Sequence, residues 1–314
     1  MEQIVTSIEM PVQEKLQLVK NRFAPLPGRP DSGKRLCVIT GTHGDELEGQ
    51  YVLFRLAQIL GEHPELLCGT VDLYPAMNPL GINTITRGMP LFDLDMNRIF
   101  PGSEEGPMAE YYVHEAVRDI RGADFALDIH ASNIFLKELP QVRVSEETAA
   151  ELVPLACQLN IDFVWIHAAA TVLENTLAHS LNVIGTKCLV VEMGVGMRLT
   201  RSYGEQLVAG ILNLMKQQGM WLGEISQEIR RPIVSKDEVA FINANAAGIF
   251  IPLVEHDGMV HEGEKLGIIA DPLTGAAKEE ILAPARGLLF TLREYPVVYP
   301  GSLLARILTG GLER

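Results

Sequence analysis

Val38-Ile39-Thr40-Gly41-Thr42-His43-Gly44-Asp45-Glu46-Leu47-Glu48-Gly49 is the stretch whose reading decides the fold. The apolar run from Leu36 to Ile39 reads as a buried strand, Gly41 and Gly44 break it, and a helical pattern begins near Leu47. His43 and Glu46 therefore sit at a strand-to-helix turn, three residues apart, where two side chains can face the same side and close on one ion. An imidazole and a carboxylate are two thirds of the His-His-Glu set of one kind of catalytic zinc site. Two blander readings compete. A Gly-rich turn of this kind often cradles phosphate, but neither G-x-G-x-x-G nor G-x-x-x-x-G-K-[ST] occurs here. Alternatively Glu46 is a first-turn acid favoured by the helix dipole and His43 a loop residue. Taken alone, His-x-x-Glu favours that last reading; residues downstream tip the balance.

Outward from this corner the pattern alternates. Glu48 to Leu60 reads as a helix, with Val52, Leu53, Leu56, Ile59 and Leu60 at helical spacing. Val71 to Ala76 reads as a strand, and residues 78 to 106 form an aperiodic stretch long enough to suggest a functional loop. A helix follows over Met108 to Ile120, a strand over Phe125 to His130, a helix over Glu147 to Leu159 and a strand over Phe163 to Ile166. Then come a helical stretch near Leu173 to Leu181, a strand over Cys188 to Val191 and a helix over Tyr203 to Gln218. This grammar predicts an α/β fold: a mixed, mostly parallel sheet flanked by helices on both faces. In such sheets ligands bind beyond the carboxyl ends of the strands, where His43, His130 and Glu192 are all expected. Residues 1 to 34 read as a lead-in with one strand or short helix. From Glu224 onward there is no convincing helix, only short apolar runs separated by Asp257-Gly258, Glu262-Gly263, Pro272-Leu273-Thr274-Gly275, Pro284, Gly287 and Pro300-Gly301. The expected organisation is an α/β domain over 1–223 and an all-β sandwich domain over 224–314.

Composition narrows the partners. A chain of 314 residues, 47% hydrophobic and 21% charged, falls among globular proteins. Its formal net charge of -14 argues against nucleic acid and against anionic membrane surfaces, though a pocket on an acidic body can be locally positive. The longest stretch free of Asp, Glu, Lys, Arg and His, from Val239 to Val254, is too short and too broken to span a bilayer. The N-terminus lacks a secretory pattern. Cys37, Cys68, Cys157 and Cys188 form no C-x-x-C pair and read as reduced thiols of a cytoplasmic protein. Assembly into a homo-oligomer is left open.

The remaining parts of a site lie further along. Asp128-Ile129-His130 ends an apolar strand: His130 is the best third ligand, and Asp128, on the same strand face, can accept from a ligand imidazole. The bland alternative is a satisfied core histidine. Glu192 closes the apolar run Cys188-Leu189-Val190-Val191, where a carboxylate is costly unless paired or functional. A structural ion pair is one role for it; a general base whose pKa burial raises toward the working pH is the other. Within the aperiodic stretch stand Asn78, Arg87 and Asp95-Met96-Asn97-Arg98. One arginine beside a polarised carbonyl can stabilise an oxyanion, and an arginine with an asparagine can grip a carboxylate.

The His43-Gly44-Asp45-Glu46 turn, Asp95-Met96-Asn97-Arg98, Asp128-Ile129-His130 and the strand-final Glu192 occur in the order found in the succinylglutamate desuccinylase/aspartoacylase family, related to the zinc carboxypeptidases, and the chain resembles that family over its whole length. The resemblance implies that His43, Glu46 and His130 bind zinc and that Glu192 activates water. It further implies that Arg87 polarises the scissile carbonyl while Asn97 and Arg98 hold a substrate carboxylate. The family's further arginine for the acyl carboxylate has no match picked out by a motif. From Ala247 to Gly267 the chain looks like a biotinyl/lipoyl-type β-sandwich, but the turn at 271–275 lacks the lysine a carrier needs. The expected function is a zinc-dependent amidohydrolase acting on a small, carboxylate-bearing N-acyl amino acid or related amide. The rivals are a metallocarboxypeptidase acting on short peptides and a catalytically silent metal-binding protein.

Overall fold

The structure, a computed structural model, describes residues 1–167, 174–236, 239–256 and 258–310. It opens on an antiparallel hairpin, β1 (Glu2–Glu9) and β2 (Lys15–Phe23). The sequence predicts a single element here. Two strands form because Leu16, Leu18 and Lys20 alternate into the interior, leaving the short turn around Pro11–Gln13 and the proline-rich link after Phe23 outside them. Next come β3 (Arg35–Thr40), α1 (Glu48–Glu62), β4 (Thr70–Tyr74), α2 (Pro79–Thr84), α3 (Met108–Ile120) and β5 (Phe125–Ser132). They are followed by β6 (Leu136–Ser145), α4 (Ala149–Ala156), β7 (Phe163–His167), α5 (Leu177–Val183), β8 (Lys187–Val195) and α6 (Arg201–Gln217). The helical stretch expected from Leu173 begins at Leu177, where Thr176 caps it; Leu173 lies outside the described residues.

The core of the sheet is the run β4, β3, β5, β8, each strand parallel to the next. Their sequences are apolar without alternation because both faces are covered. Leu36 and Val38 of β3 pack with α1, α4 and α6, whereas Cys37 and Ile39 pack with α3 and α5. Asp128 and His130 share the parity of Ala126, which belongs to the α3 and α5 side. Those two polar side chains therefore leave β5 toward the face on which α5 stands.

β6 is a strand that the sequence does not announce, because Pro140 sits inside it. The proline is accommodated at an irregularity: the antiparallel register of β6 on β8 shifts between Glu138 and Gln141. β7 lies parallel to β6.

Among the described residues no helix follows α6. The remaining strands are β9 (Ile233–Ser235), β10 (Val239–Asn243), β11 (Gly248–Pro252), β12 (Met259–Val260), β13 (Lys265–Ala270), β14 (Ala277–Leu282), β15 (Gly287–Arg293), β16 (Val297–Val298) and β17 (Leu303–Leu308). β14, β13, β11 and β16 make a separate antiparallel sheet. β15, β17 and β10 instead continue the large sheet beyond β6, with β15 paired directly to it. The result is the expected mixed α/β sheet flanked by helices, with an antiparallel sheet near the C-terminus. No described helix is long and apolar enough to cross a membrane.

Candidate active site

The corner after β3 is fixed by its glycines. Gly41 has φ +71°, in the left-handed region. Gly44 lies so close to the start of α2 that a Cβ on it would fall 1.9 Å from the Gly81 carbonyl carbon. That approach is locked by Asn78, whose side chain accepts from Gly81 N–H at 2.9 Å and donates to Gly88 O at 3.0 Å. Gly44 N–H in turn donates to Arg87 O at 3.3 Å, so the stretch carrying Arg87 is fastened to the corner carrying His43 and Glu46.

Three neighbouring strands then bring the chemistry together. Nδ1 of His43 lies 2.8 Å from Oε1 of Glu46, and Nδ1 of His130 lies 2.9 Å from Oε2. One donor atom from each of the three residues falls within 4.8 Å of the others, and all three side chains are buried. Each outer ring nitrogen faces a carboxylate: Nε2 of His43 is 3.0 Å from Asp95, and Nε2 of His130 is 3.0 Å from Asp128. Carboxylates behind imidazoles are the usual backing of metal-bound histidines, fixing the ring and making it more basic. Among the described residues His43 Nδ1 is buried without a well-directed hydrogen-bond partner, despite lying 2.8 Å from Glu46 Oε1. An orphan of that kind at the mouth of three converging donors fits an ion shared between them.

The electrostatics point the same way. Burial opposes charge on His130, yet Asp128 and Glu46 outweigh it and hold the imidazole well above its ordinary pKa. His43 is raised likewise: burial works against the charge, and Asp95 and Glu46 overcome it. Burial disfavours the Glu46 carboxylate as well, but the two imidazoles keep it far below the usual carboxylate range. Three carboxylates surround the two imidazoles, with Arg87 beside Glu46 and Asp95; once the imidazoles give up their protons, as metal ligands must, the cluster is left net negative, which suits a divalent cation.

His130 and Glu192 are partners in register across β5 and β8. Burial pushes the Glu192 carboxyl up to about 7, with Arg143 opposing and Glu138 adding to the shift. Arg87 donates to Glu46 Oε1 at 2.9 Å and stands 3.5 Å from Asp95, its side chain partly exposed. Asn97 turns its side-chain oxygen to Leu177 N–H at 2.9 Å, which leaves its NH2 group as a donor. Arg98 is exposed and bonds the Asn97 carbonyl at 2.8 Å. His43, Glu46, His130, Glu192, Arg87, Asn97 and Arg98 all line one cavity of about 660 Å3.

The same cavity holds residues that the sequence reading did not select. Glu138 and Arg143 lie on β6, which that reading lacks, and Arg306 lies on β17. A single cation inside Leu303-Leu304-Ala305-Arg306-Ile307-Leu308 is the same signal that drew attention to Glu192 and would have found it. Asp95 stands at the head of the Asp95-Met96-Asn97-Arg98 segment, and its contact with His43 gives it a task of its own.

Residues 32–217 match the family model described as the succinylglutamate desuccinylase/aspartoacylase catalytic domain. The chain belongs to this family. Its members are hydrolytic deacylases. The fold is shared with the product-bound ectoine utilization protein EutE (DoeB) from Ruegeria pomeroyi, at TM-score 0.81 and 19% identity over 97% of this chain and 93% of that one. It is shared also with a succinylglutamate desuccinylase/aspartoacylase from Rhodobacter sphaeroides, at TM-score 0.78 and 22% identity over 98% and 95%. An aspartoacylase family protein from Mesorhizobium loti aligns at TM-score 0.76 and 21% identity over 99% and 94%. At these identities the likeness concerns the fold alone. No curated protein matches the chain by sequence.

Proposed function

We propose that the chain is a zinc-dependent amidohydrolase that removes the acyl group from a small, carboxylate-bearing N-acyl amino acid or related amide. The observation that carries this reading is the convergence of His43, Glu46 and His130, with Glu192 beside His130 in register. Held by those three residues, zinc would supply Lewis acidity toward the scissile carbonyl and toward water. Glu192 is the general base: its carboxylate takes a proton from the attacking water and returns it to the departing nitrogen as the C–N bond breaks. Its raised pKa suits both halves of that task, since a group titrating near 7 accepts and releases a proton at similar cost.

Arg87 faces the cavity from the rim with its guanidinium beside Glu46, where it can steady negative charge developing on the carbonyl oxygen. The Asn97 NH2 group and the exposed Arg98 guanidinium are the donors for the substrate carboxylate. The four cysteines are all free, which suits a reducing compartment, and we assign the protein to the cytoplasm. The substrate is a small anion met by a locally cationic rim on an acidic body.

The test is a panel of N-acyl amino acids and short peptides offered to zinc-loaded protein, with Glu192→Gln as the control. N-acyl amino acids should be cleaved in preference to peptides, and the variant should keep its metal while losing roughly 100-fold or more in rate. Preference for peptides would make the protein a carboxypeptidase, and silence toward the whole panel would make it a binding protein.

A further inference from the structure

Arg306 belongs to β17, in the C-terminal part of the chain, yet its side chain reaches the cavity beside Glu192. Its Nη1 is 2.6 Å from Oε1 of Glu138, a carboxylate only 1% exposed. The other oxygen of Glu138 accepts from Arg143 Nη2 at 2.8 Å and from Gln141 Nε2 at 3.0 Å. Arg143 then presents Nη1 to Oε1 of Glu192 at 3.3 Å. A continuous file of alternating charge, Arg306, Glu138, Arg143, Glu192, therefore runs from the C-terminal strands to the proposed base. β15 adds Thr291, whose hydroxyl lies 3.5 Å from Glu138 Oε1.

We propose that Arg306 is a positioning residue for Glu192, acting by satisfying Glu138 so that Arg143 remains free to hold the base. The inference rests on the proposed role of Glu192. Its physical ground is competition for one cation. Arg143 serves two carboxylates, and the more deeply buried of them, Glu138, has the greater need of a counter-charge because a buried ion left unpaired is costly. Arg306 supplies that counter-charge from the other side. Without it, Arg143 is drawn wholly onto Glu138 and Glu192 loses the contact that fixes its carboxylate. The Arg306 guanidinium also stacks 5.5 Å from the Phe241 ring centroid, on β10, so its position is set by C-terminal strands on both sides of it. The β-rich C-terminal segment thereby reaches the chemistry through Arg306.

Four proteins test the proposal: wild type, Arg306→Met, Arg306→Met combined with Glu138→Gln, and Arg306→Lys, which retains the charge. A displaced base costs on the order of 100-fold in rate, so Arg306→Met should lower kcat by about that factor with KM little changed. Adding Glu138→Gln removes the competitor for Arg143 and should restore most of the loss, a coupling that a merely structural Arg306 would not produce. Arg306→Lys should stay close to wild type. Crystal structures supply a readout that needs no turnover: the contact between Arg143 and Glu192 should persist in wild type and in the double variant and open in Arg306→Met. A wild-type kcat in Arg306→Met, a double variant no better than the single one, or an intact contact in Arg306→Met overturns the proposal. Should Glu192→Gln itself turn over normally, the assignment of the base fails instead, and the crystallographic contact still decides the part played by Arg306.

Discussion

Asp128→Asn isolates the contribution of one carboxylate that the substrate does not reach first. Asp128 is 1% exposed in the middle of β5, and its Oδ2 stands 3.0 Å from Nε2 of His130. Among the described residues neither carboxylate oxygen has another hydrogen-bond partner, so the charge is directed at that one ring. Asparagine keeps the volume and an oxygen acceptor but removes the charge that makes the imidazole a stronger ligand. Loss of such a backing carboxylate lowers metal affinity about 10- to 100-fold, or ~1.4–2.8 kcal/mol. Asp95 behind His43 provides an internal comparison. Its side chain is 26% exposed and is shared with Arg87 and with Asn97 N–H, so water and other partners already take part of its charge. Asp95→Asn should therefore cost less than Asp128→Asn. The assay is competition for zinc against a chromophoric chelator at fixed pH, with all three proteins side by side. Wild-type affinity in Asp128→Asn, or a larger loss in Asp95→Asn, would show that the second-layer carboxylates do not act as argued.

Two further outcomes follow from the geometry. Because burial raises the Glu192 carboxyl to about 7 and the base must be ionised, kcat should fall as pH drops through that region, and the positive charge of a bound cation can only move this limb lower; a limb centred above pH 8 would contradict the assignment. Gly44→Ala forces a Cβ to within 1.9 Å of the Gly81 carbonyl carbon, backbone against backbone, and should cost at least ~1–3 kcal/mol in thermal or chemical unfolding; an unchanged melting curve would mean that the corner is looser than described.

Much of the site is legible in the chain because it obeys a fold-level rule. Buried parallel strands announce themselves as apolar runs, and polar residues at the ends of such runs, His43, His130 and Glu192, are gathered by strand order alone. The reading stops where local pattern and tertiary environment part. Pro140 disguises β6 because a proline inside a strand is tolerated only at an irregularity that the sequence does not reveal, and Glu138 and Arg143 are hidden with it. Arg306 stands out as a lone cation in an apolar strand, but its place beside Glu138 follows only once β17 is known to continue the large sheet through β15, a pairing across more than a hundred residues that no periodicity encodes. The N-terminal hairpin escaped for a different reason: one face of β2 is buried while the other stays half-exposed, so its alternation is weak beside the prolines that follow.

The most direct measurement is the zinc content of the protein after removal of all metal by a chelator and reloading. Wild type should take up one zinc per chain and regain hydrolysis in proportion, while His130→Ala should neither retain zinc through gel filtration nor recover activity. Full activity in the stripped protein, or zinc held as firmly by His130→Ala as by wild type, would contradict an ion shared by His43, Glu46 and His130.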